Sequence, residues 1–236
     1  ADEQSEQLNW PAQGGDGTDI SSGFTQDTGT MDVSVSFASD GNNNPTYNVE
    51  TTDTIYTVAG EPFDPNSNAF LFGDGDGATS STTIDFAAQA GSGMTDAVQD
   101  VSFRINDIDW VFGNHTEIVT INAFDADGNP VDVTITPGGG DTVSGNTITA
   151  ETVAENFDDA GGSALIEIAG PVSSIEIAYS NGQTGTHGIW VTDLHFTTIP
   201  EATTGGADVI DGGSGATDCS FGWINASFHL DAAHYR

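Results

Sequence analysis

Residues 101–112 read VSFRINDIDWVF, and the alternation of their side chains indicates the fold class. Val101, Phe103 and Ile105 fall on one face of an extended chain, because successive side chains of a strand point to opposite faces. The apolar positions then shift from odd to even numbers. A bulge or bend at residues 106 and 107 would reconcile the two halves, so the sequence predicts two strand segments joined by a break.

The same period of two recurs along the chain in short runs separated by clusters of Gly, Asn, Asp and Pro. The stretch 125–130, Asp-Ala-Asp-Gly-Asn-Pro, has the composition of a hairpin turn. Roughly nine to eleven short strands in one chain are typical of an all-β antiparallel β-sandwich. Further strands are predicted at residues 33–37, 47–49, 55–58, 84–86, 118–124, 131–136, 147–150, 164–169, 174–179 and 189–198.

The charge balance of the chain is extreme. Its 236 residues include 36 acidic residues and two basic ones, Arg104 and Arg236, which gives a formal net charge of −34. Nucleic acids and anionic lipids are bound by Lys and Arg that displace counterions, so both are excluded as partners. Self-repulsion on this scale is relieved by salt or by bound divalent cations, which predicts a saline, calcium-bearing medium.

Two further classes are excluded by composition. The single cysteine, Cys219, rules out an internal disulfide framework. No run approaches the roughly 18 apolar residues that a membrane span needs. The composition also changes after residue 199, where the alternation stops and Thr, Gly and Asp become frequent. We therefore predict a β-sandwich domain at residues 1–199 and an appended segment at residues 200–236.

Within the appended segment, residues 203–216 read TTGGADVIDGGSGA. Set against the repeat G-G-x-G-x-D-x-U-x, Asp208 takes the aspartate position of one unit and Gly212 begins the next. This stretch resembles the calcium-binding repeats of the hemolysin-type, or RTX, secreted bacterial proteins. The resemblance implies Ca²⁺ as a cofactor with Asp208 and Asp211 among its ligands, type I secretion, and an extracellular location. A flexible tail rich in Gly and Asp stays open as the alternative.

Residues 98–198 carry a second resemblance. It rests on the motif DID at 107–109, the hairpin AFDADGNPV at 123–131 and the closing strand GIWVTDLHF at 188–196. These features are similar to the β-sandwich modules attached to secreted bacterial surface proteins. Such modules are jelly-roll-like and are similar to carbohydrate-binding modules and lectin domains. The resemblance therefore implies a jelly-roll-like sandwich, and it makes a polysaccharide or cell-surface glycan the favoured ligand.

Several aspartates are candidate calcium ligands, because Ca²⁺ takes about six to eight oxygen ligands from carboxylates and carbonyls. Asp107 and Asp109 are two residues apart and would repel each other unless a cation lies between them. Asp193, on the last long strand, is the expected distant partner of this pair. Asp74 and Asp76, which alternate with glycines, form a second candidate site. Solvated acids on an acidic surface remain the alternative for each of them.

Three aromatic side chains are candidates for stacking on a sugar ring: Trp110, Tyr179 and Trp190. Trp110 lies beside the expected ion site and is the preferred contact. Trp190 alternates with Leu194 and Phe196, so packing in the core is the stronger expectation for its ring. Exposure of the ring decides between the two roles.

The sequence predicts no catalytic residue, because it contains no zinc-binding helix motif, nucleophile elbow or phosphate loop. If the chain were an enzyme, His115, His187 and His195 would be the histidines that meet at its site. The favoured function is a secreted calcium-binding β-sandwich module for a glycan or a cell surface. An extracellular hydrolase or lyase with a His/Asp site, and a purely structural unit of a larger surface protein, stay open as alternatives.

Overall fold

The computed structural model describes residues 1–202, of which Ala1–Glu201 form one compact unit. The RTX-like stretch, with Asp208 and Asp211, lies outside the described residues, and the predicted domain boundary stays a prediction. No helix in residues 1–202 combines the length and the apolar character that crossing a membrane requires.

The described residues fold as an all-β sandwich of two antiparallel sheets, which confirms the predicted fold class. A short 3-10 helix at Trp10–Gln13 follows the first strand. The strands are β1 (Ser5–Leu8), β2 (Phe24–Asp27), β3 (Met31–Ser39), β4 (Thr46–Glu50), β5 (Asn68–Asp74), β6 (Gly77–Ala88), β7 (Met94–Asn106), β8 (Trp110–Val111), β9 (His115–Phe124), β10 (Pro130–Val131), β11 (Thr134–Pro137), β12 (Thr142–Ser144), β13 (Thr147–Thr149), β14 (Ala164–Ile168), β15 (Ser174–Asn181), β16 (Thr186–Thr192) and β17 (Leu194–Pro200).

The long strands alternate between the two sheets. Sheet I contains β1, β4, β5, β7, β11, β14, β16 and β17, and sheet II contains the other nine strands. From β6 to β16 the long strands therefore cross from one sheet to the other at each connection, which gives the sandwich its jelly-roll-like character. The core lies between the inner faces and includes Phe103, Ile121, Ile177, Ile189 and Phe196.

The break predicted at residues 106 and 107 is present. Strand β7 ends at Asn106, and Asp107 adopts a φ of 68°, in the left-handed region that residues other than glycine seldom occupy. Strand β8 then begins at Trp110 and pairs with the start of β9. The break thus carries the chain from sheet I to sheet II, and it places Asp109 between the two sheets.

A second break separates β16 from β17 at Asp193. Before it, the odd-numbered residues Ile189 and Val191 face the core, whereas after it the even-numbered Leu194 and Phe196 do so. An extra residue in one strand moves every later side chain to the opposite face. The sequence pattern alone did not reveal this change of face.

The change of face corrects the expectation for Trp190. Its ring lies on the outer face of sheet I, where it is half-buried instead of packed in the core. The ring centroid of Trp190 is 4.4 Å from that of Phe70 and 5.2 Å from that of Phe157. Trp190 therefore belongs to an aromatic cluster that covers this face of the sheet.

The connection between β4 and β5 also lies on the outer face of sheet I. The strand predicted at residues 55–58 is wrong, because this segment makes only isolated backbone hydrogen bonds, one within its own loop and one to the loop before β14. Ile55 N–H donates to the carbonyl of Pro65 and Tyr56 N–H donates to the carbonyl of Phe157, each at 3.0 Å. The segment belongs to a long loop that covers the sheet.

That loop is fastened to β7 by Arg104, which is 6% exposed. The Nε and Nη2 atoms of Arg104 each donate to one carboxylate oxygen of Glu61 at 2.7 Å. Nη1 of Arg104 donates to the hydroxyl of Ser163 at 2.9 Å, and the guanidinium lies 5.4 Å from the ring centroid of Tyr56. A bidentate ion pair of this kind holds the guanidinium and the carboxylate in a fixed relative geometry.

The hairpin predicted at residues 125–130 is confirmed. Asp125 N–H donates to the carbonyl of Asn129 at 2.9 Å, and Pro130 pairs with Phe124. The strand predicted at residues 131–136 is divided, however. Its first part is β10 in sheet II, and the chain then crosses to sheet I, where β11 pairs with β14. The hairpin is therefore short.

Asp193 is 1% exposed and accepts a hydrogen bond from the hydroxyl of Ser67. Burial raises the pKa of Asp193 to about 6. The folded chain therefore holds this proton to a higher pH than the unfolded chain, so ionisation of Asp193 lowers stability as pH rises from about 4 to about 6.

We expect Asp193→Asn to remove this loss, because the amide keeps an acceptor for Ser67 and cannot ionise. Relative to wild type, the unfolding free energy of the variant should rise by about 1–3 kcal/mol between pH 4 and pH 7. Urea unfolding of both proteins at several pH values measures this difference in free energy. Asp85→Asn, at an exposed position of β6, is the control and should show no such trend. Parallel pH curves for wild type and Asp193→Asn would contradict the prediction.

Candidate functional site

Three loops meet at one end of the sandwich, which we call the loop end. They are residues 75–76 between β5 and β6, 112–114 between β8 and β9, and 182–185 between β15 and β16. Gly75 N–H donates to the carbonyl of Gly185 at 3.1 Å, and Gly185 N–H donates to the carbonyl of Asn114 at 2.7 Å. Each loop is thus bonded to the next through its backbone.

Asn181, at the end of β15, holds the loop end together from inside. Its side chain is 1% exposed. Its Nδ2 donates to the carbonyl of Gly75 at 2.9 Å and to that of Gly185 at 3.2 Å. Its Oδ1 accepts from the backbone N–H of Thr116 at 2.9 Å and of Gln183 at 3.0 Å. One buried amide therefore satisfies backbone groups of several segments.

The β8–β9 hairpin displays the most exposed large apolar side chain of the described residues. Phe112 at its tip is 85% exposed. The ring of Trp110 is half-buried and lies edge-on to Phe112, with centroids 6.2 Å apart. Gln183 fixes the turn, because its Oε1 accepts from Gly113 N–H at 2.8 Å and its Nε2 donates to the Thr116 hydroxyl at 3.0 Å. Phe112 is therefore presented by an ordered turn.

Beneath this hairpin lies a cluster of Asp109, His115 and Glu117. One ligand atom from each of the three lies within 4.8 Å of the other two, and this is the single group of that kind within residues 1–202. Asp109 comes from the break after β7, whereas His115 and Glu117 lie on one face of β9. The N–H of Glu117 donates to the carbonyl of Asp109 at 3.1 Å, which closes the hairpin over the cluster.

One atom of each side chain in the cluster is bonded to the backbone of another segment. These bonds fix the rings and carboxylates in place and leave one donor atom of each free to face the cluster. They are His115 Nδ1–H to the carbonyl of Thr186 at 2.9 Å, Glu155 N–H to Asp109 Oδ2 at 3.1 Å, and Gly188 N–H to Glu117 Oε1 at 3.2 Å.

The remaining polar atoms of the cluster have few hydrogen-bond donors within reach. His115 Nε2 lies 2.7 Å from Asp109 Oδ1, and this hydrogen bond is the main reason that the pKa of His115 is raised. Glu117 is 0% exposed, and its Oε2 has no hydrogen-bond partner among the described residues. Burial raises the pKa of Glu117 well above its ordinary value.

Asp107 and Tyr179 border the cluster. Burial, followed by the charge of Asp109, raises the pKa of Asp107 to about 7. The hydroxyl of Tyr179 also lacks a hydrogen-bond partner in the described part of the chain. Burial, followed by the charge of Glu117, holds the pKa of Tyr179 well above its ordinary value. A cation at the cluster would lower the electrostatic cost at both groups.

The structure brings together only part of the predicted metal ligands. Asp107 and Asp109 are neighbours, as expected, but Asp193 packs against Ser67 elsewhere in sheet I, which corrects its role as their partner. The donors around Asp109 include a histidine nitrogen, which does not fit an all-oxygen calcium site. Asp74 and Asp76 are exposed at the β5–β6 turn and lie outside the cluster, so calcium binding there stays a prediction.

The structure also separates the three predicted histidines from one another, and it buries one of the predicted aromatic contacts. His187 is 2% exposed, its Nε2 lies 2.7 Å from the Thr79 hydroxyl, and its ring packs edge-on to Tyr179. Burial lowers the pKa of His187. His195 lies on β17 beside Phe63, and burial alone lowers its pKa, so it does not join His115. Tyr179 is 1% exposed, which corrects its predicted role as a ligand contact.

Sequence reasoning missed Glu117, although a signal for it exists. In β9 the inward-facing positions are Val119, Ile121 and Ala123, and residue 117 continues this series. A carboxylate on the core face of a strand is unusual, because burial of a charge is costly without a partner. The place of Glu117 in this inward-facing series could therefore have identified it as a candidate ligand from the sequence. Asn181 and Gln183 had no such signal, since their partners lie on distant loops.

We expect Asn181→Ala to loosen the loop end, because it leaves the carbonyl of Gly75 and the N–H groups of Thr116 and Gln183 without partners. The free energy of unfolding should fall by about 2–4 kcal/mol. Chemical denaturation measures the change, and hydrogen exchange should accelerate at residues 112–116 and 183–186. Asn122→Ala, at a half-buried position of β9, should cost no more than about 0.5 kcal/mol. Equal losses in the two variants would contradict the assigned role.

No family model and no curated protein matches the chain. Among solved structures, it is similar to TmCBM27, a carbohydrate-binding module that recognises mannan, with 10% identity over 84% of this chain and 99% of that one and a TM-score of 0.38. The K1 cleaved adhesin domain of Lys-gingipain from Porphyromonas gingivalis W83 is 12% identical over 83% and 98%, with a TM-score of 0.35. The enzymatically active domain of bacteriophage CBA120 tailspike protein 4 is 10% identical over 71% and 19%, with a TM-score of 0.30.

Proposed function

We propose that the protein is a secreted β-sandwich module that binds a neutral polysaccharide or cell-surface glycan through its loop end. The observation that carries this proposal is Phe112, which is 85% exposed at the tip of the β8–β9 hairpin. Aromatic rings are enriched at interfaces and in ligand sites relative to the rest of a protein's surface. The flat faces of sugar rings present C–H groups that pack well on such a ring.

The hairpin is held before any ligand arrives, which favours binding. Gly113 and Asn114 flank Phe112, and both are hydrogen-bonded to the β15–β16 loop. A preformed surface loses less conformational entropy on binding than a loop that must become ordered. Exposed polar side chains at the same end, Asp76 and Thr184, can donate or accept hydrogen bonds from sugar hydroxyls.

The charge of the chain narrows the ligand class. A formal net charge of −34 repels anionic polysaccharides. Neutral polysaccharides, and those that carry amino groups, are free of this repulsion. We therefore commit to a neutral polysaccharide as the ligand of the loop end.

The arrangement of the histidines supports a binding module over a hydrolase or lyase. Both ring nitrogens of His115 are hydrogen-bonded, to Asp109 and to the carbonyl of Thr186. A general base needs a nitrogen that can reach a substrate proton. His195 lies apart from His115 and is not positioned to assist it. Turnover of a glycan by the protein would favour the enzyme alternative, and the absence of both binding and turnover would favour a structural unit.

Phe112→Ala should weaken binding to neutral polysaccharides by about 10-fold, because aromatic stacking contributes about 0.5–1.5 kcal/mol beyond the burial of the ring. Affinity electrophoresis across a panel of neutral and anionic polysaccharides measures the effect. Val143→Ala, which truncates an apolar residue 37% exposed on β12, is the matched control and should bind like wild type. Retention of every neutral polysaccharide by Phe112→Ala would contradict the proposal.

We further propose that Asp208 and Asp211 bind Ca²⁺, on the strength of the RTX resemblance, because carboxylates at these repeat positions supply oxygen ligands. Calorimetric titration of the full chain with Ca²⁺ should show heat that Asp208→Asn/Asp211→Asn lowers, while Asp85→Asn, at an exposed position of β6, leaves it unchanged. If Asp74→Asn/Asp76→Asn removes the heat and the first pair has no effect, the calcium site is the β5–β6 turn.

A further inference from the structure

The contact between His115 and Asp109 requires a positive charge between the two groups. Nδ1 of His115 donates its proton to the carbonyl of Thr186, so in the neutral ring Nε2 carries a lone pair. That lone pair lies 2.7 Å from Oδ1 of Asp109, which is itself an acceptor. Two lone pairs repel at this distance. Either a proton lies between the two atoms, or a metal ion lies to one side of the line that joins them and contacts both, since Zn–N and Zn–O bonds of about 2.0–2.2 Å do not fit end to end in this distance.

Glu117 distinguishes between these two solutions. With a single proton on His115 paired to Asp109, Oε2 of Glu117 makes no hydrogen bond within the described residues, although the Tyr179 hydroxyl is close enough to lower the pKa of Glu117. Glu117 is 0% exposed, and a buried carboxylate oxygen without a partner costs several kcal/mol. A divalent ion can contact Nε2 of His115 and one oxygen of each carboxylate together. Its charge of two balances the two carboxylates when the imidazole is neutral.

We propose that Asp109, His115 and Glu117 bind one divalent transition-metal ion of the zinc class. The donor set fits such an ion, because one imidazole nitrogen and two carboxylate oxygens are ordinary ligands of Zn²⁺ and leave a fourth position for water. Ca²⁺ is disfavoured, because it takes about six to eight oxygen ligands and no nitrogen. The proposal stands independently of the glycan proposal, since it concerns buried groups.

The surroundings of the three residues are those of a metal centre. In metal sites a ligating histidine commonly donates its other N–H to a carbonyl, and ligating carboxylates accept further hydrogen bonds. All three such hydrogen bonds are present: His115 donates to the carbonyl of Thr186, Asp109 accepts from Glu155 N–H, and Glu117 accepts from Gly188 N–H. Because Thr186 and Gly188 belong to β16, the ion would fasten the β8–β9 hairpin of sheet II to sheet I.

The test uses the full chain after treatment with a chelator. Cysteine and histidine at positions 219, 229 and 234 bind the same ions, so every variant carries Cys219→Ser, His229→Gln and His234→Gln. We expect calorimetric titration with Zn²⁺ to give one ion per chain, with no displacement by excess Ca²⁺, because the imidazole ligand selects ions of the zinc class over Ca²⁺. Co²⁺ in place of Zn²⁺ should give a visible absorption band stronger than that of hydrated Co²⁺, which reports coordination by four or five ligands.

Glu117→Gln and His115→Gln should each weaken Zn²⁺ binding by about 100-fold or more, whereas His195→Gln, at a half-buried histidine away from the cluster, should not. Without metal, Glu117→Gln should melt at or above the temperature of the parent, because the amide needs no counter-charge, yet it should lose the stabilisation by Zn²⁺. The proposal is overturned if the parent binds no stoichiometric Zn²⁺, if Ca²⁺ displaces it, or if Glu117→Gln binds Zn²⁺ as the parent does.

Discussion

The structure depends on how a chain that has a single guanidinium in residues 1–202 accommodates buried carboxylates. Arg104 is committed to Glu61 on the outer face of sheet I. Other buried acids are satisfied by neutral donors: Glu6 accepts from the hydroxyl groups of Thr28 and Thr30, each at 2.6 Å. Two buried acids lack such donors, because one carboxylate oxygen of Glu117 and one of Asp141 have no hydrogen-bond partner among the described residues. Of these two, Glu117 lies beside Asp109 and His115, and this is where we propose an external cation.

The strand breaks at Asp107 and Asp193 determine which side chains face the space between the sheets and which face outward. At Asp107 the chain leaves sheet I, and the turn directs Asp109 into the space between the sheets. At Asp193 the inward-facing side of the last strands changes, and Trp190 is turned outward. Irregular positions in a sheet commonly re-aim side chains next to functional sites. The regular strands form the core of the sandwich, and the irregular positions decide where Asp109 and Trp190 point.

The parts of the fold that depend on local pattern could be predicted from the sequence, and the parts that depend on distant pairing could not. Alternation identified β7, β9 and β15, and the apolar shift after Ile105 located the first break. The face of Trp190 could not be predicted, because the bulge at Asp193 is an extra residue that only strand pairing reveals. Of the three residues in the cluster, Asp109 was predicted as a metal ligand and His115 as a histidine of an enzyme site, whereas Glu117 could have been found only from its place in the inward-facing series of β9.

The cluster of Asp109, His115 and Glu117 lies between the core and the loop end. Replacement of a buried ionic cluster by apolar side chains often stabilises a protein, so stability alone does not account for the presence of Asp109 and Glu117 between the sheets. The cluster lies directly beneath the hairpin that carries Phe112, and it takes hydrogen bonds from β16 in the opposite sheet. A cation there would restrain the hairpin against the body of the sandwich in a way that dispersion contacts between apolar side chains do not. The cost of burying the acids is then offset by a fixed geometry at the exposed ring, since a contact surface that is ordered before binding loses less entropy when its ligand arrives.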